Sequence, residues 1–190
     1  NTDALDAYWR GRALLERRDT PGNLQRAVVA FNEALRLDAR FVDAHAALAE
    51  ADWELYDTTR ETQYVEAAVQ ASKNAVALAP EDAGVRVALG VTLTRGGRNA
   101  EAVQELQRAL AVEPNHDEAR RYLGRSLAAL GRIDEAVAEW RKALVLRPNN
   151  WQVLSDMGLA LYQATRYDEA EAAYRQLITL QPDNVIGFQM

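Results

Sequence analysis

The sequence predicts an all-α array of stacked helix-turn-helix units. Three observations carry that expectation: a segment that recurs at a fixed interval, prolines that keep the same step, and glycines set inside helical stripes. The stretch GRIDEAVAEWRKALVLRPNN, Gly131 to Asn150, is echoed 34 residues earlier by GRNAEAVQELQRALAVEPNH and 34 residues later by TRYDEAEAAYRQLITLQPDN. Pro80, Pro114, Pro148 and Pro182 share that 34-residue step, and only Pro21 stands outside it. A period in this range marks a repeat architecture, in which one supersecondary unit is copied and stacked.

The second helix of each unit is read backwards from its proline. Twelve residues before it stand Ala68, Ala102, Ala136 and Ala170; eight before it, Ser72, Leu106, Trp140 and Tyr174. Five before it come Ala75, Ala109, Ala143 and Leu177, and two before it Leu78, Val112, Leu146 and Leu180. Steps of four, three and three trace one face of an amphipathic helix. An earlier copy uses Ala27, Phe31, Ala34 and Leu37, with Ala39 in the proline's place. Proline closes the helix because it cannot extend the hydrogen-bond ladder.

The first helix of each unit carries Leu89-Gly90, Leu123-Gly124 and Met157-Gly158 in matching places, and Gly11 in the first copy. Glycine inside a helix costs about 1 kcal/mol relative to alanine, so its recurrence predicts close approach of a neighbouring helix. The natural opposing residue is the small Ala102, Ala136 or Ala170. Gly96-Gly97 and Gly131 punctuate the turn between the two helices. Asp134-Glu135 and Asp168-Glu169 then suit the positive end of the following helix.

This pattern resembles the tetratricopeptide repeat. Its landmarks fall on Gly90/Ala102/Leu106/Ala109/Pro114, Gly124/Ala136/Trp140/Ala143/Pro148 and Gly158/Ala170/Tyr174/Leu177/Pro182. The units run approximately over 4–41, 42–82, 83–116, 117–150 and 151–184, a single array over 1–190, with 185–190 starting a truncated sixth. Two degenerate units open the chain. The second carries seven extra residues around YDTTRET, and the first about three around DTPGN. The resemblance implies a right-handed α-α superhelical solenoid of about five units, with the first (A) helices lining an inner surface and the second (B) helices outside. Residues from Tyr8 to Ala51 further resemble arrays attached to bacterial serine/threonine protein kinases, adenylate cyclases and winged-helix regulators. No kinase motif occurs in the chain. The abrupt start at Asn1 and end in NVIGFQM are expected of a piece of something longer.

A repeat surface of this kind implies a protein-protein interaction module that takes a peptide or partner helix. By analogy with the family, the groove positions are Arg12, Glu50, Val87, Val91, Arg95, Arg121, Tyr122, Arg125, Gln152, Ser155 and Tyr162. Arg95, Arg121 and Arg125 would form a basic patch, and guanidinium forks match carboxylates, so the expected partner is an acidic peptide or a polypeptide C-terminus. The alternative is that these arginines are a solvated face or pair with Glu118 and other neighbours. Some family members grip a terminal carboxylate with groove Asn and Lys. The matching positions here are Trp9, Ala47, Ala88, Tyr122 and Asp156, so that clamp is expected to be absent.

No enzyme is expected. The chain has no cysteine, which removes disulfides, thiolate nucleophiles and thiolate metal sites. His45 and His116 are the only histidines. Asp43 lies two residues from His45, off its helical face, and NHDE at His116 reads as turn and cap chemistry rather than as metal ligands. Gly96-Gly97 follows no strand and is not a phosphate cradle. No cofactor is therefore expected. A net charge of −6 disfavours nucleic acid. No apolar run approaches the roughly 20 residues that span a bilayer, and no signal peptide opens the chain. A cytoplasmic location is expected, with an extracytoplasmic one left open. Without a sixth unit, Tyr174, Leu177 and Ile178 would leave apolar surface uncovered, which predicts self-association through that end.

Overall fold

A computed structural model of the chain describes residues 1–180. Pro182, the close of the fifth unit and the expected start of a sixth over 185–190 lie outside the described residues. Among the described residues there are ten helices and no strand: α1 (Thr2–Glu16), α2 (Asn23–Leu37), α3 (Val42–Thr59), α4 (Gln63–Leu78), α5 (Ala83–Arg95), α6 (Asn99–Val112), α7 (Asp117–Ala129), α8 (Ile133–Leu146), α9 (Trp151–Gln163) and α10 (Tyr167–Leu180). By packing, the chain divides into a unit over Asn1–Gly96, holding α1 to α5, and a second from Gly97 onward, holding α6 to α10. Within the first, each helix packs on the next, and α3 also touches α1 and α5. Within the second, each again packs on the next, and α7 also touches α9. Such nearest-neighbour packing is that of an α-α solenoid.

The glycines are explained by the hairpins, although not by the expected partner. A Cβ built on Gly124 would lie 2.5 Å from Nε1 of Trp140, and one on Gly158 would lie 2.7 Å from Cζ of Tyr174. Gly11 stands in the same relation to the ring of Phe31. The glycine is thus a seat for the large residue of the B helix, not for its alanine. Ala102, Ala136 and Ala170 are buried in their own right. The stripe runs along one face of the helix, but the bulkiest side chain on it reaches furthest across, and the aromatic ring fills the space a side chain would take. Trp140, 1% exposed, also donates from Nε1 to the Arg121 carbonyl at 3.0 Å.

The seven extra residues of the second unit do not form a loop. They lengthen the helices instead: α3 has 18 residues where α5, α7 and α9 have 13, and α4 has 16 where α6, α8 and α10 have 14. Asp82, His116 and Asn150, each 34 residues from the next, cap α5, α7 and α9. The side chain of each accepts from the backbone N–H three residues on, at 3.0, 3.3 and 3.4 Å. His116 is therefore a helix cap.

The turn between helices needs a left-handed residue. Gly97 and Gly131 supply it at φ 75° and 77°, but Thr165 takes the same place at φ 60°. There the Arg166 N–H bonds the Leu161 carbonyl at 2.9 Å, as the Arg132 N–H bonds that of Leu127. A β-branched residue is strained in this conformation. Thr165→Gly is expected to raise stability by about 1 kcal/mol, read from the midpoint of urea unfolding. An unchanged or lowered midpoint would show that the strain is absorbed elsewhere.

Candidate protein-interaction surface

In the first unit the exposed side of α1, α3 and α5 is laced by ion pairs between successive A helices. Arg12 donates to Glu50 at 2.7 Å, and Arg95 donates to Asp57 at 2.6 Å. Each link spans 38 residues, yet the polarity reverses, with the arginine on the earlier helix in one and on the later helix in the other. The Arg95 guanidinium also sits 4.4 Å from the ring centroid of Trp53, which is 5% exposed. Trp9 stands out into solvent at 59% exposure, edge-on to Tyr8. Burial raises the Tyr8 phenol pKa, and the Arg12 charge pulls against that rise. Val91 is half-buried. Val87 does not belong to a surface: it is 3% exposed and sits among the core residues of α5. Its place one turn from Val91 put it on the expected face, but that face turns inward at this level.

In the second unit α7 and α9 build the more articulated site. Arg121 Nε donates to Asp156 at 2.7 Å, in a pair whose side chains are only 15% and 20% exposed. Arg125 approaches the other oxygen of Asp156 at 3.9 Å and is 38% exposed. Each guanidinium also lies 5.3 Å from the centroid of the Tyr122 ring. The alternative weighed for these arginines, pairing with neighbours, describes Arg95 and Arg121. Arg95 is engaged by Asp57 and Arg121 by Asp156, whereas Glu118, the neighbour considered for pairing, is exposed and takes neither. The partner of Arg121 lies 35 residues away, on the next A helix, where no i±4 search would find it. A cleft of about 450 Å³ opens beside this cluster, lined by Arg125, Asp156, Leu159, Gln163 and the edge of Trp140. Gln152 is exposed and Ser155 half-buried on α9. Tyr162, 49% exposed, meets the ring of Tyr167 at 5.5 Å between centroids.

Two residues expected to lie open at the far end are covered. Tyr174 is 5% exposed and Leu177 is fully buried, while Ile178 is half-buried. The Tyr174 ring is taken up by the seat at Gly158. The large apolar side chains that α9 and α10 do expose are Leu159, Tyr162, Tyr167 and Leu180.

Among the described residues, no group of three or more His, Asp or Glu is placed to hold a metal ion, and no helix is long and apolar enough to cross a membrane. Stacked hairpins, glycine seats and a ladder of polar groups along the A helices define a helical-repeat protein. The particular family follows from comparison with known sequences. Two family models, each described as tetratricopeptide repeat, match residues 61–114 and 87–151 in one case and 151–184 in the other; the chain belongs to the tetratricopeptide repeat family. No curated protein matches it. Solved structures share the fold. YrrB, described as a tetratricopeptide-repeat protein with an unusual peptide-binding site, superimposes with a TM-score of 0.71 at 22% identity, over 98% of this chain and 90% of its own. MamA from Desulfovibrio magneticus RS-1 gives 0.80 at 16% identity, over 97% and 98%. PilF of Pseudomonas aeruginosa gives 0.76 at 25% identity, over 98% and 80%.

Proposed function

We propose that the chain is a protein-interaction module that binds a peptide or partner helix on its A-helix faces, with α7 and α9 as the principal reader. The observation that carries this is the cluster of Arg121, Tyr122, Arg125 and Asp156, of which Arg125 and Asp156 line an open cleft. Tyrosine and arginine are the side chains that concentrate binding energy at interfaces. Asp156 tempers the charge, so the cluster keeps a single net positive charge, and Arg125, the more exposed guanidinium, is the one offered to an acidic side chain. The peptide-binding description of YrrB supports the same reading. Gln152, Ser155 and Tyr162 would extend the contact along α9, and Arg12, Glu50, Val91 and Arg95 would form the corresponding face of the first unit. A cytoplasmic setting and no catalytic activity belong to the proposal. So does self-association through the α9–α10 end, resting on Ile178 and the exposed Tyr162 and Tyr167 rather than on Tyr174 and Leu177.

The test is capture of an acidic partner by three versions of the protein. Arg121→Glu/Arg125→Glu is expected to weaken capture at least about tenfold, the worth of one charge-assisted contact. Asp156→Asn, which frees both guanidiniums, is expected to strengthen it severalfold. Equal capture by all three would remove α7 and α9 from the interface.

A second reading, a regulatory array within a larger bacterial signalling protein such as a serine/threonine kinase, is favoured by the resemblance of residues 8–51. A kinase domain encoded in the same reading frame would establish it.

A further inference from the structure

The other side of α3 holds a feature that the A-helix faces do not use. His45, Leu48 and Asp52, spaced by three and four residues, form the floor of a cleft of about 610 Å³ with α2 and α4 as its walls. Asp52 is 4% exposed. No hydrogen bond or ion pair from the described residues reaches its carboxylate, and burial alone pushes its pKa up to about 6. At neutral pH it is thus an ionised, buried carboxylate with no cation of its own, a costly arrangement unless something else supplies one. The titratable groups around it are His45 on α3 and Tyr64 on α4; α2 contributes none.

The rim of the cleft is polar, with the side-chain amides of Asn32, Gln63, Gln70 and Asn74 offering both donors and acceptors. Asn32, Gln63 and Gln70 each engage one of their two amide N–H groups, on the Val28 carbonyl at 2.9 Å, on Glu61 at 2.6 Å and on the Asn74 side chain at 2.9 Å respectively. Their three amide oxygens have no donor among the described residues. His45 donates from Nε2 to the Ala39 carbonyl at 3.1 Å, which leaves the Nδ1 of the neutral ring a buried acceptor without a partner. Between these acceptors the lining is apolar, from Val28, Leu35, Leu48 and Ala71.

We propose that this cleft receives one arginine side chain of a docked polypeptide, with the guanidinium on Asp52 and the stem along the apolar lining. A guanidinium carries five donors in a fixed plane and no acceptor, which suits the buried Asp52 carboxylate and the unpartnered His45 Nδ1. A metal ion is a poorer match, because a single carboxylate with neutral amides is a weak ligand set for it. The protein's net charge of −6 favours approach of a basic segment. This surface is separate from the face formed by α7 and α9 and goes beyond the function proposed for it.

The probe is a pentapeptide with a central arginine, titrated into the whole protein and compared with its citrulline counterpart, which keeps the shape and loses the charge. The arginine peptide is expected to bind, the citrulline peptide at least about tenfold more weakly, and Asp52→Asn to lose about the same factor. In the wild-type protein the Asp52 carboxyl carbon, followed by NMR, is expected to titrate at lower pH when the peptide is present. This reading needs no variant to fold. Arg121→Glu/Arg125→Glu should leave all of this unchanged, which separates the two surfaces. Equal binding of the citrulline peptide, or an Asp52 titration that the arginine peptide does not move, would overturn the proposal. Binding of capped arginine amide as tight as that of the pentapeptide would overturn the assignment to a docked polypeptide.

Discussion

Gly124→Leu is expected to destabilise the second unit by roughly 3 kcal/mol. Even a methyl group at this position would lie 2.5 Å from the Trp140 indole, well inside contact distance. The indole cannot retreat cheaply. It is 1% exposed, and its N–H is fixed on the Arg121 carbonyl one turn away on the same helix that carries the glycine. Either α7 and α8 separate, losing the hairpin's core, or the ring rotates and strands a buried donor. Removing glycine from the helix returns only about 1 kcal/mol of helix propensity. Urea unfolding followed by circular dichroism gives the difference directly. A double-mutant cycle makes it specific: Gly124→Ala should cost clearly less in a Trp140→Leu background, where the seat is vacant, than in the wild-type protein. Equal costs in both backgrounds, or a near-neutral Gly124→Leu, would show that the glycine is not there for the ring.

Leu177→Glu is expected to be at least as damaging, by about 3 kcal/mol or more. Leu177 is fully buried on α10. A carboxylate there must be left unpaired, be protonated, or drag the helix off its neighbour. Because packing passes only between near neighbours, the loss should be local. Amide hydrogen exchange should accelerate throughout α9 and α10, while α1 to α4 keep their protection. Had Leu177 been surface, the same change would have left exchange untouched and altered only association. That outcome, with full protection of α10, would contradict the packing described here.

Much of the fold was legible because repetition supplies its own control. The 34-residue step located the A and B helices, the turn glycines and the terminating prolines without any knowledge of packing. What the period could not give was depth. It showed that Gly124, Ala136 and Trp140 share an interface, but not that the glycine meets the tryptophan rather than the alanine. That outcome depends on how far each side chain reaches. Val87 was misplaced for a related reason: helical spacing gives a direction around the axis, and whether that direction meets solvent is decided by neighbouring helices. The ion pairing on the candidate face was not legible. The acid that Arg121 pairs with, Asp156, lies a full repeat away in sequence, whereas the neighbour the sequence offered was Glu118. Asp52 gave no signal at all, since an aspartate within DAHAALAEADWEL reads like any solvated helix charge. Its isolation is a property of the three helices that surround it.

The seats for the aromatic rings have a kinetic consequence. Gly11 meets Phe31, Gly124 meets Trp140 and Gly158 meets Tyr174 across 16 to 20 residues of sequence. Closing so short a span costs little entropy, and topologies dominated by local contacts fold quickly. Each of these three hairpins can thus find its ring-to-backbone fit before its neighbours exist, which suits a polypeptide that emerges from the ribosome one repeat at a time.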